Sequence, residues 1–106
     1  MKKHKLQDMV KGWFVGNFSP VALASEDFEV AIKHYRAGDR EPAHVHRVAT
    51  ELTAIVQGRV RMLNQEFESG DIVTVEPGEA TSFEALTDVI TVVVKTPSLT
   101  DDKYLV

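Results

Sequence analysis

An all-β fold, two sheets packed face to face as a jelly roll, is predicted for this chain by three observations. Short extended runs with period-two alternation recur along it, glycine and proline turns separate them, and no stretch sustains a helical period. Many short strands punctuated in this way suit a closed double sheet better than a layered α/β fold. The 106 residues leave room for one domain, 1–106.

Taken in order, residues 2–11 form a helical turn or stay loose. Residues 13–18 (WFVGNF) are aromatic enough for a strand packed on another surface, with Trp13, Phe14 and Phe18 filling their own core as the equal alternative. Residues 28–35 (FEVAIKHY) alternate Phe28, Val30, Ile32 and His34 against Glu29, Ala31, Lys33 and Tyr35. That alternation aims the first set, His34 included, at the interior. Residues 37–42 are read as a turn. Residues 51–57 (ELTAIVQ) are apolar on both faces apart from Glu51, Thr53 and Gln57, which suits a strand covered on both sides. Residues 60–63 and 66–68 make a hairpin around Asn64–Gln65, and 72–75 continue after the Gly70–Asp71 turn. Pro77–Gly78 ends that strand. Residues 81–85 and 89–95 (VITVVVK) are two more, the second β-branched and central, before Thr96–Pro97.

Composition removes several function classes. A net charge of −4 provides no footprint for a phosphate backbone, so nucleic acid is not an expected partner. No run approaches the ~20 apolar residues of a membrane helix, so no membrane span is expected. The basic start, MKKHK, leads into Leu6, Gln7 and Asp8 rather than an apolar signal core, and cysteine is absent, so a cytoplasmic location is the expectation. Without cysteine there is no disulfide, thiolate nucleophile or thiolate zinc site.

The informative stretch runs from Gly38 to Gly58: glycine, five residues, His44 and His46, four residues, Glu51, six residues, glycine. Histidines two apart on an extended segment point to one side, with Cα atoms about 6.5 Å apart at roughly 3.3 Å rise per residue. A carboxylate arriving on the next strand adds a hard oxygen donor and completes a His, His, Glu set that leaves coordination positions open. Average residue usage puts such a pattern at about one chance in 10⁵ for a chain of this size.

Those positions match the first motif of the cupin superfamily at all five markers. Residues 70–85 (GDIVTVEPGEATSFEA) resemble the second motif in the Gly-Asp opening, the hydrophobic strand and the Pro-Gly turn. They depart from it at Glu76, Thr81 and Ala85, where the family usually has proline, the third histidine ligand and asparagine. The resemblance implies a double-stranded β-helix, a cupin-type barrel, with a divalent metal (Fe, Mn, Zn or Ni) held by His44, His46 and Glu51. It also implies a small-molecule ligand and a homodimer, with residues 1–19 a peripheral or subunit-exchanged segment; the tail 101–106 docks in a similar way or stays free. His34 is the catalytic candidate, as a further ligand, a supporting group or a general base near neutral pH. Glu79 and Glu84 flank Thr81 as possible compensating carboxylates. Tyr35, Arg36, Arg47 and Arg59 are candidates to meet an anionic or hydroxylated ligand at the mouth, and Phe83 is read as core.

Two functional readings follow. In one, the protein binds a divalent metal in the barrel and acts on or binds a small oxygen-rich molecule. In the other it is a small-molecule module, for a sugar-like ligand, with little or no metal; Thr81 supports this one. Fold alone does not choose between them.

Overall fold

A computed structural model describes residues 1–106, which are β apart from two three-residue 3-10 turns, Leu6–Asp8 and Val10–Gly12. The strands are β1 Trp13–Gly16, β2 Leu23–Ala24, β3 Glu29–Tyr35, β4 Arg40–Val45, β5 Thr50–Gln57, β6 Arg59–Met62, β7 Gln65–Glu68, β8 Ile72–Val75, β9 Ala80–Ala85, β10 Val89–Thr96 and β11 Tyr104–Leu105. A six-stranded sheet, ordered β2-β1-β3-β10-β5-β8, covers a five-stranded one, ordered β11-β4-β9-β6-β7. From β3 to β6 and again from β8 to β10 the chain crosses between sheets at every turn, which is the predicted jelly roll. No helix is long and apolar enough to cross a membrane.

Two local expectations shift. The segment read as a turn over residues 37–42 already contains the start of β4, which runs through Pro42. Proline is tolerated there because the β4–β9 register shifts between Glu41 and His44, so no ladder bond is lost to its missing N–H. The hairpin turns at Leu63–Asn64 rather than Asn64–Gln65, with Leu63 at φ 52°, so that Gln65 pairs with Met62. Gly58 is required by space as well as φ (+94°): a Cβ there would lie 2.2 Å from the Asp88 carbonyl oxygen.

The apolar core occupies one end of the barrel. Ile55, Val60, Met62, Val75, Phe83, Ala85 and Val89 pack there, with Tyr35, Phe67 and Val73 against them. Toward the other end the inner faces turn polar and enclose a cavity of about 420 Å³. The facing of β3 is the reverse of the sequence expectation. Glu29, Lys33 and Tyr35 line the cavity and Ala31 is buried, whereas Val30 and Ile32 are half-buried on the outside and His34 is exposed. The alternation was legible; its sense was not, because the interior here is a polar chamber and the apolar side of β3 belongs to an outer sheet face.

Candidate metal centre

His44 sits near the end of β4 and His46 just past it, both buried at 5% and 4% exposure, while Glu51 enters from the second position of β5. Their ligand atoms lie within 4.8 Å of one another. Donors about 2.1 Å from an ion stand roughly 3 to 4 Å apart, so small side-chain rotations bring all three onto one cation. The rings of His44 and His46 are edge-on, centroids 5.3 Å apart and planes at 78°.

Backbone carbonyls settle the tautomers. His44 Nδ1 lies 2.9 Å from the Pro42 carbonyl oxygen and His46 Nδ1 lies 2.7 Å from that of Asp102. A carbonyl only accepts, so each Nδ1 donates a hydrogen and each neutral ring keeps its Nε2 lone pair for the cavity. His46 Nε2 then meets Glu51 Oε2 at 3.0 Å. Two acceptors at that distance need a cation between them, either a proton on Nε2 or a divalent metal ion. The hydrogen bond to Glu51 holds the His46 imidazole above its ordinary pKa, against the opposing effect of burial. Burial pushes the Glu51 carboxyl up, but the bond and charge of His46, with Lys95 behind them, outweigh it and leave the group below its usual range.

Thr81, where the third histidine was absent from the sequence motif, is directly across from His44 in the β4–β9 ladder and lines the cavity. Its hydroxyl donates to the Ser82 carbonyl at 3.2 Å. Neither flanking carboxylate replaces the missing donor: Glu79 caps the Glu76 N–H, and Glu84 pairs with Arg40 and Arg61 on the surface. His34 does not join the group and faces away from the cavity, as the reversed β3 requires. Among the mouth candidates, Tyr35 lines the cavity and donates its hydroxyl to Glu41 Oε1 at 3.2 Å. Burial, then the charge of Glu41 and this bond, push the phenol far above its usual pKa and keep it protonated. Arg47 instead stacks on Tyr104 at 3.9 Å, Arg59 pairs with Glu66, and Arg36 is exposed away from the chamber. Phe83 is core, with its ring 4.5 Å from that of Tyr35.

Asp102 was not singled out from the sequence. Its carboxylate accepts from the backbone N–H groups of Arg47, Val48 and Ala49 at 2.8–3.1 Å, closing the turn between β4 and β5. Its own carbonyl orients His46, and β11 follows directly to pair with Val45 and His44. Burial opposes ionisation of Asp102, yet the three N–H donors overcome it and hold the carboxyl below its usual range. Also missed were Lys33, Thr91 and Lys95 on the inner face. The regular placement of Thr91 and Lys95 among the valines of residues 89–95 was the available clue that this face is polar.

No protein-family model matches the chain, and no curated protein matches it. Solved structures match its shape. One is an uncharacterised conserved protein with a double-stranded β-helix domain from Klebsiella pneumoniae, with TM-score 0.71 at 20% identity over 76% of this chain and 71% of that one. A second is an RmlC-like cupin from Shewanella frigidimarina, with TM-score 0.66 at 18% identity over 72% and 71%. A third is the DMSP lyase DddQ from Ruegeria pomeroyi, with TM-score 0.69 at 19% identity over 97% of this chain and 59% of that one. At such identities the likeness concerns the fold.

Proposed function

We propose, with the cupin-type double-stranded β-helix as premise, that this protein holds a divalent metal on His44, His46 and Glu51 and uses it to bind a small oxygen-rich molecule in the barrel. The supporting observation is the convergence of the three donors, with both histidines fixed through Nδ1 so that Nε2 faces inward. When bound, the ion supplies Lewis-acid polarisation of a coordinated oxygen. The chain's own residues do the rest. Thr53 donates to Glu51 Oε1 at 3.3 Å and orients it, and Tyr35 presents a protonated phenol on the cavity wall.

Elemental analysis of untagged protein, followed by titration with Fe(II), Mn(II), Ni(II) and Zn(II), tests the reading. One ion per chain is expected, and His46→Ala and Glu51→Gln should fold yet lose 10-fold or more in affinity. A second reading, a metal-free binding module, is favoured by Thr81 and by the His46–Glu51 pair, which a single proton satisfies. Substoichiometric metal with all four ions, or unchanged affinity in both variants, selects it.

A homodimer belongs to the same proposal. The outer face of the six-stranded sheet sets Ile32, Val92, Ala54 and Ile72 in one cross-strand row and Val30, Val94, Leu52 and Thr74 in the next, with no charged side chain among them. Ile72 is 69% exposed, and an uncharged, largely apolar face of this kind can pair with its own copy about a two-fold axis. Light scattering should give the mass of two chains, and Val92→Glu should give one; a monomeric wild type rejects the assembly.

A further inference from the structure

The cavity is more cationic than the chain that surrounds it. Four lysines line it, Lys11, Lys33, Lys95 and Lys103, against three glutamates, Glu29, Glu41 and Glu51, in a protein whose net charge is −4. Each glutamate already has a partner. Glu29 binds Lys95 at 3.2 Å and the Ser98 hydroxyl at 3.0 Å, Glu41 accepts from Tyr35, and Glu51 meets His46. Lys33 has no ion-pair or hydrogen-bond partner, and its ammonium meets only the Trp13 ring, 5.0 Å from the centre, in a cation–π contact that leaves its N–H donors unused. Burial pushes its pKa down, with more distant Glu41 and Glu51 pulling the other way. Directly across the β3–β10 ladder stands Thr91, 0% exposed, whose Oγ1 is the one buried side-chain polar atom without a partner. A half-buried cation and an orphaned hydroxyl, adjacent on a cavity wall, are costly unless something is bound to them.

We propose that the cavity takes a small carboxylic acid, its carboxylate held by Lys33 and Thr91 and its other oxygens directed to His44, His46 and Glu51. The second half of this statement rests on the metal reading; the first does not. Lys33 and Thr91 supply one ammonium and one hydroxyl, which match the two oxygens of a carboxylate. A phosphate presents three acceptor oxygens and is ordinarily met by several N–H donors or an arginine fork, and no arginine lines the cavity. A bound divalent ion adds to the positive field and favours an anion further.

Trp13, the only tryptophan, lies against Lys33 and Lys95 at 5.0 and 5.1 Å and reports on this wall by its fluorescence. Three probes share a polyol skeleton: D-gluconate, uncharged D-sorbitol and D-sorbitol 6-phosphate. Gluconate should change Trp13 emission saturably and sorbitol should not; Lys33→Met should weaken gluconate 10-fold or more and Thr91→Val roughly 3- to 10-fold. Metal content, measured on the same samples, should be unchanged in both variants. Equal binding of sorbitol, tighter binding of the phosphate, no saturable change with gluconate, or wild-type affinity in both variants overturns the proposal. If the wild type proves metal-free while Lys33 still governs gluconate binding, the metal reading fails and the carboxylate site stands. If metal binds normally but Lys33 and Thr91 are indifferent, only the carboxylate site fails.

Discussion

The same strands build both ends of the barrel, and their inner faces change character along their length. On β5 the inner residue is Ile55 at one end and Glu51 at the other; on β10 they are Val89 and Lys95; on β9, Ala85 and Thr81. The closed end is held by apolar packing, with Ile55, Val60, Ala85 and Val89 at 0–2% exposure. The open end is held by polar contacts over long sequence separations, chiefly Asp102 on the β4–β5 turn and Ser98 with Lys95 on Glu29. Non-directional burial tolerates relaxation, whereas a hydrogen-bonded charge network fixes atoms in place. A coordination group needs the second and can be supported at a distance by the first.

The largest effect should come from breaking the closed end. Ile55→Ala removes a 2%-exposed side chain from the centre of the core and should cost about 2–5 kcal/mol, read by urea denaturation. Because Ile55 does not line the cavity, metal bound per folded chain should stay at the wild-type value. Loss of metal from the variant at urea concentrations where it remains folded would show that the two ends are not separable.

This division explains what was legible in the sequence. Apolar alternation with Gly and Pro turns located most strands, because packing at the closed end imposes that pattern on β5, β6, β9 and β10. The Gly38–Gly58 spacing singled out His44, His46 and Glu51, whose donors converge because only a short turn separates the end of β4 in one sheet from the start of β5 in the other, and Gly58 must clear Asp88. The sense of β3 was misread because apolar residues usually mark the inside, and here Val30 and Ile32 mark an outer sheet face while Lys33 points inward. The pairing of Lys33 with Thr91 depends on a ladder between strands 58 residues apart, which no local pattern reveals. Asp102 was hidden for the same reason: it closes a turn 53 to 55 residues away.

Asp102 offers the finer test of the open end. Asp102→Ala leaves the N–H groups of Arg47, Val48 and Ala49 without their acceptor, at a turn where Ala49 is only 3% exposed. Arg47 and Val48 are exposed and only Ala49 is buried, so one unpaired buried donor, costing about 1–3 kcal/mol, dominates and the loss in stability should be smaller than for Ile55→Ala. The position of the Asp102 carbonyl depends on the same carboxylate anchor, and that carbonyl holds His46 Nδ1. Metal affinity should therefore fall about 10-fold, a cost typical of disturbing the groups that orient ligands, although no ligand has been removed. Asp102→Asn separates the two roles in part, since its one side-chain oxygen still accepts from the N–H groups on one side of the turn while the charge and the second acceptor oxygen are lost. It should recover most of the metal affinity and less of the stability. If Asp102→Ala binds metal as the wild type does, the tail is a structural clamp with no part in aiming His46, and the ring owes its orientation to β4 and to its contact with Glu51.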